Sequence, residues 1–111
     1  MTIKEIAKEL NLNVFCGREG LENKVTGGYV SDLLSDVMGN SEAGQAWITL
    51  QSHRNVAAIA SLRELSGIIL VKNNEPDEAM AKQAEEEGIP VLGTPLSAYE
   101  ITGKLFQLLQ G

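Results

Sequence analysis

One histidine, His53, stands in Thr49-Leu50-Gln51-Ser52-His53-Arg54-Asn55, the run richest in side chains able to bind a ligand or move a proton. Imidazole suits general-base work near neutral pH. A base needs a nucleophile, and no serine or cysteine stands at a spacing from His53 that singles it out. Cys16 pairs with it only formally, because cysteine is among the most buried residue types. Zinc asks for three or four Cys, His or carboxylate ligands, and the chain has one Cys and one His. A magnesium site at Asp32 or Asp36 competes with the plainer use of Asp32 as a helix N-cap. Gly27-Gly28 has the look of a phosphate loop, yet neither Gly-x-Gly-x-x-Gly nor the Walker pattern is present, so a bulge or tight turn is its expected use. Glu85-Glu86-Glu87 reads as a solvated helix face. No metal, no cofactor and no catalytic constellation are expected.

The elements that would position these residues alternate. Thr2-Ile3-Lys4-Glu5 has capping-box form, and Ile3, Ile6, Ala7 and Leu10 follow at helical spacing, so a helix is predicted over 2–10. A short strand over 14–16 closes at Gly17, and Arg18-Glu19-Gly20 is a turn. A strand is predicted over 25–30. Ser31 or Asp32 should cap the next helix, with Leu33, Leu34, Val37 and Met38 as its apolar face and Gly39 as its end. Strand 46–50 leads to a helix opened by Ser52 or His53, whose Val56 to Ala60 and Leu62 are apolar nearly all round and imply burial on several sides. The β-branched run 67–71 reads as a strand covered on both faces. Pro76 is placed for the first turn of a helix that runs to Glu87 and stops at Gly88. Strand 89–92 and a second capping box, Ser97 with Glu100, complete the chain, whose last helix carries Gly103 as a weak point.

Such alternation predicts an α/β fold: a mainly parallel sheet of about five strands flanked by helices in a three-layer-like arrangement, residues 1–111 forming one domain and 1–24 an N-terminal helix and short strand packed on it. Ligands of open α/β sheets collect outside the carboxyl ends of the strands. The polar residues that fall there are Ser31 and Asp32 after the second strand, Thr49, Gln51, Ser52, His53 and Asn55 after the third, Lys72 and Asn73 after the fourth, and Thr94 and Ser97 after the fifth. Asp32, Thr49, Gln51, Ser52, His53 and Asn55, with Thr94 and Ser97 at the rim, form the candidate ligand site. Free amides at a helix starting near Ser52 would suit a carboxylate or phosphate. The ordinary alternative is that Ser52 caps its helix and Asn55 satisfies loop backbone.

Composition sets outer bounds. At 43% apolar and 22% charged residues the chain has the make-up of a folded globular protein, and a formal charge of -6 without a basic run argues against nucleic acid. One cysteine forms no intrachain disulfide, the first residues lack the order of a secretory signal, and no apolar stretch approaches the roughly 20 residues that span a bilayer. A cytoplasmic protein with no membrane partner is expected.

With the residues laid out, the chain resembles the DRTGG domain family. The resemblance is carried by the segment from Val25-Thr26-Gly27-Gly28 to Ser31-Asp32-Leu33-Leu34-Ser35, by Trp47-Ile48-Thr49-Leu50-Gln51-Ser52-His53-Arg54-Asn55-Val56, and by Ile89-Pro90-Val91-Leu92, Tyr99-Glu100 and Gly103-Lys104-Leu105. Asn23-Lys24-Val25-Thr26-Gly27-Gly28 departs from the naming motif by conservative replacements and an extra Val. The resemblance implies an accessory or regulatory module, of the kind found beside CBS-domain pairs in regulated pyrophosphatases. It also implies a fold similar to the N-terminal domain of HPr kinase/phosphorylase, whose kinase chemistry belongs to a separate P-loop domain, and a part in forming a homodimer. The leading expectation is a non-catalytic, homodimeric domain that senses a small ligand or a protein partner. The alternatives are a binding module for a nucleotide or other phosphorylated metabolite and, less favoured, a hydrolase using His53.

Overall fold

A computed structural model describes residues 1–111. It has a five-stranded sheet in the order β1-β5-β4-β3-β2, with β1 Asn13–Cys16, β2 Gly27–Val30, β3 Gln45–Thr49, β4 Gly67–Leu70 and β5 Val91–Gly93. The expected α/β class is what forms. β2 to β5 are parallel, and β1 joins β5 antiparallel. The helices are α1 Ile3–Glu9, α2 Leu34–Asn40, α3 Arg54–Leu62, α4 Glu78–Glu87 and α5 Ala98–Leu109.

Side chains alternate across each strand and divide the core in two. Trp47, Ile68, Leu70 and Val91 pack with Val37 of α2, Val56, Ala57 and Ala60 of α3, and Met80 and Ala84 of α4. Ala46, Ile48, Ile69, Val71 and Leu92 pack with Ile3 and Ile6 of α1 and Ile101 and Leu105 of α5. The sheet is thus covered on both sides, which is why residues 67 to 71 are apolar without interruption.

Local signals with local partners behave as expected. Thr2 accepts from the Glu5 amide and Glu5 reaches back to the Thr2 amide; Ser97 and Glu100 do the same for α5. Gly88 ends α4 in the left-handed conformation at φ 67°.

Several boundaries differ. β2 begins at Gly27, because the Val25 amide donates to the Met1 carbonyl and the Thr26 amide to that of Gly44. Gly27 and Gly28 pair regularly with Gln45 and Ala46, and the bulge lies instead in β1, between Val14 and Cys16. At Gly28 the close approach is by Leu105 of α5. Leu33, not Ser31 or Asp32, is the N-cap of α2, and the helix passes Gly39 to end at Asn40. Neither hydroxyl nor carboxylate is free to cap: Ser31 Oγ accepts from the Leu33 amide, and Asp32 is turned toward β3. His53, one of the two residues expected to open α3, is its N-cap, with no side-chain cap. That helix is buried on one side only, with Leu62 67% exposed. Asp77 caps α4, so Pro76 precedes the helix.

The tightest backbone junction is at Gly17, φ 74°, where a Cβ would run into the Ile89 carbonyl. Its amide donates to Glu85 Oε1 at 2.6 Å, tying the end of β1 to α4. Gly17→Ala is therefore expected to lose about 3 kcal/mol in urea-induced unfolding, from left-handed strain together with displaced backbone.

Candidate functional site

Asp32 follows β2, and its backbone leaves the sheet edge toward β3. Its Oδ1 accepts from Thr49 Oγ1 at 2.7 Å and from the Leu50 amide at 2.9 Å. Gln51 Nε2 donates to the Asp32 carbonyl at 3.1 Å, and the Gln51 amide donates to Thr49 Oγ1 at 3.2 Å. Asp32, Thr49 and Gln51 are thus one clasp joining the carboxyl ends of β2 and β3. Thr49 is buried, and its hydroxyl donates to one member and accepts from another.

The remaining candidates are placed differently, Ser52, His53 and Asn55 in the segment after β3 and Thr94 and Ser97 after β5. The Ser52 carbonyl accepts from the Asp77 amide at 2.9 Å and so ties the β3–α3 loop to the start of α4. His53 is half-buried, and Arg54 and Asn55 are exposed in the first turn of α3. With no side-chain cap, the first-turn amides of α3 point out from the carboxyl end of the sheet. Thr94 is 3% exposed, and its Oγ1 accepts from the Leu96 amide, so it stabilises its own loop instead of forming a rim. Ser97 is occupied as the α5 cap.

A second clasp joins β4 and β5. Lys72 and Asn73 are consecutive left-handed residues at φ 56° and 61°. Their amides donate to the carbonyls of Leu96 and Thr94 at 2.9 and 3.0 Å. Asparagine tolerates this conformation and lysine does not favour it, so residue type alone gives little sign of the pair.

An open groove of about 1380 Å³ between the end of α1 and α5 is lined by Val30, Leu96, Tyr99, Gly103 and Phe106 among others, and by none of the eight candidate residues. The motif segment Asn23 to Gly28 is at the amino ends of the strands. Asn23 Nδ2 donates to the Ser66 carbonyl at 3.2 Å, and Ser66 Oγ donates to the carbonyls of Gly44, at 2.9 Å, and Lys24. That segment fastens the chain to the β3 and β4 approaches, remote from the strand-end residues.

The formal Cys16–His53 pair does not form. Cys16 is opposite Val91, at the start of β5, whereas His53 follows the end of β3. Burial and then the Glu85 carboxylate push the Cys16 thiol up, away from the thiolate. Asp36 is also engaged: Tyr29 Oη donates to its Oδ1 at 2.9 Å and Asn40 Nδ2 at 3.0 Å. Hydroxyls of Ser31 and Tyr29, then the Asn40 amide, hold the Asp36 carboxyl below its ordinary value. The bond to Asp36 and then burial push the Tyr29 phenol up.

Thr49→Val removes one donor and one acceptor from the clasp and is expected to cost about 2 kcal/mol. Asp32→Ala should cost a similar amount, and the double variant less than the two added, measured by urea unfolding. A lowered Asp36 pKa means that its contribution is full above the unfolded carboxylate pKa and is lost as pH falls through the folded value. Tyr29→Phe should move the Asp36 pKa upward in an NMR titration of the side-chain carboxyl.

Three comparisons agree on what the chain is similar to. The family model of the DRTGG domain matches residues 5–108. The HPr kinase/phosphorylase of Levilactobacillus brevis is 26% identical over 128 aligned positions, covering 100% of this chain and 40% of that protein. A crystal structure of the CBS and DRTGG domains of the regulatory region of Clostridium perfringens pyrophosphatase, complexed with its activator diadenosine tetraphosphate, superposes with a TM-score of 0.74 at 15% identity. It spans 98% of this chain and 46% of that one. The chain therefore covers less than half the length of either relative, and with its sequence matched almost end to end by one family model it belongs to the DRTGG domain family.

Proposed function

We propose that this chain is a non-catalytic regulatory domain, cytoplasmic and homodimeric, which binds a small anionic ligand at the carboxyl end of its sheet. The observation that carries this reading is the uncapped start of α3. α1, α4 and α5 each begin with a side-chain cap, from Thr2, Asp77 and Ser97. α2 and α3 begin at the carboxyl ends of their strands without one, and the longer, α3, follows the central strand β3 and carries His53, Arg54 and Asn55 at its start, the Val56 amide already donating to the His53 carbonyl. Free amides and the positive end of the helix dipole favour a phosphate or carboxylate. The Asp32–Thr49–Gln51 clasp then holds the loop that carries them.

A nucleotide is the ligand class that family membership favours, since the pyrophosphatase regulatory region was captured with diadenosine tetraphosphate. No kinase step is assigned to this chain, which lacks the Walker pattern. A hydrolase in which His53 activates Cys16 is disfavoured, because Cys16 is at the other end of the sheet.

Thermal-shift screening with adenine mononucleotides, dinucleoside polyphosphates and sugar phosphates tests this reading. A ligand at a hundred times its Kd adds about 2.7 kcal/mol, a rise on the order of 10 °C for a domain of this size. Arg54→Ala and His53→Ala should each weaken binding several-fold without lowering the Tm of the free protein. No shift with any of these anions at millimolar concentration would overturn the assignment.

A further inference from the structure

α5 buries Ile101 and Leu105 against the sheet and turns its other side outward. On that side Tyr99 is 90% exposed and Phe106 63% exposed, and Gly103 lies between them. Both aromatics line the groove that also reaches Val30, at the end of β2. β2 is an edge strand, and its Gly-Gly-Tyr-Val sequence has none of the lysine, proline or bulge devices that protect open edges.

Gly103 is the unusual member. Glycine in a helix interior costs about 1 kcal/mol relative to alanine. Nothing inside the chain requires it: a Cβ there would meet no atom within 4 Å, and its φ is not positive. Its consequence lies outside, where it lets another backbone approach the helix.

We propose that this face pairs two copies of the chain, α5 against α5 in antiparallel orientation about a two-fold axis at Thr102–Gly103. The inference rests on the homodimeric reading above and supplies its surface. Three pairings centre within one residue of each other along the helix, at residue 103, midway between 102 and 103, and at 102. Gly103 meets Gly103, Tyr99 meets Phe106 of the second copy, and Glu100 meets Lys104 of the second copy. An antiparallel two-fold brings the same flanks of the helices together, and Glu100 and Lys104 share a flank, one of each sign. Two copies of a chain of net charge -6 carry a net mutual repulsion. This face carries its own balance of charge and an apolar centre.

The test uses Tyr99→Arg and Phe106→Glu, both at exposed positions, with circular dichroism to confirm folding. Light scattering after size exclusion should show the unmodified chain as a dimer at roughly tens of micromolar, and each variant should weaken the dimer at least about tenfold. Mixed in equal amounts, the two variants should form a dimer with one chain of each, seen by native mass spectrometry. In it the introduced guanidinium of one chain faces the introduced carboxylate of the other, and the original Tyr99–Phe106 pairing survives on the opposite side of the axis. Variants that dimerise as tightly as the unmodified chain would overturn this surface and leave the dimer reading standing. Variants that separate but fail to recombine would overturn the antiparallel pairing. An unmodified chain that is monomeric would overturn both readings.

Discussion

Because β2, β3, β4 and β5 lie side by side in chain order, each right-handed crossover steps the same way across the sheet and leaves its helix on the same face. α2, α3 and α4 accordingly share one side, with Trp47, Ile68, Leu70 and Val91 beneath them. The other side receives nothing from the crossovers. A parallel sheet with an apolar face needs a layer over it, and here helices outside the crossovers supply it. α1 and α5 do this with Ile3, Ile6, Ile101 and Leu105, all fully or almost fully buried. At about 1.5–3 kcal/mol for each large side chain, these four contribute as much as the net stability of an ordinary domain. The terminal helices are half of the core.

The same ordering shapes the carboxyl edge. Neighbouring strands end together, so the loops after β2 and β3 meet, as do those after β4 and β5, and each pair is joined by hydrogen bonds. Asp32, Thr49 and Gln51 make the first junction, and the Lys72 and Asn73 amides with the Thr94 and Leu96 carbonyls make the second. Most polar side chains gathered at this edge are therefore spent on holding loops. The helix starts left without a side-chain cap at this edge are those of α2 and α3, and on the reading proposed above it is α3 that would offer its backbone amides to a ligand.

How much of this can be read from the sequence depends on the range of the interaction. Thr2 with Glu5, Ser97 with Glu100 and Gly88 act within one helical turn, so their spacing reveals them. Alternating strands and helices are legible for the same reason, and with them the fold class. Asp32 reads as a cap because its partners, Thr49 and Leu50, are 17 and 18 residues away and meet it only after β2 and β3 pair. α3 reads as buried all round because Ala58, Ile59 and Leu62 are apolar, yet only Val56, Ala57 and Ala60 face the sheet. Residue type marks what can be buried, and the crossovers decide which side is. The strand order brings the polar strand-end residues to one edge, but their division into loop fasteners and open positions depends on hydrogen bonds that no spacing encodes.

The second clasp links the candidate ligand edge to α5. Lys72 donates its amide to Leu96, the residue just before the Ser97 cap, and Tyr99 stands in the first turn that follows. A ligand that displaced the β4–α4 loop would strain this bond and shift the start of α5. A ligand that tightened the loop would fix it. On the ligand and dimer readings proposed above, either effect would be felt at the outer face of α5. Its size is bounded by the ligand's difference in affinity for the two arrangements, and linkage requires that whatever covers α5 acts back on the ligand equally. The helix that, with α1, closes the second layer of the core is thus also tied at its start to the carboxyl edge of the sheet, through the Lys72 amide and the Leu96 carbonyl.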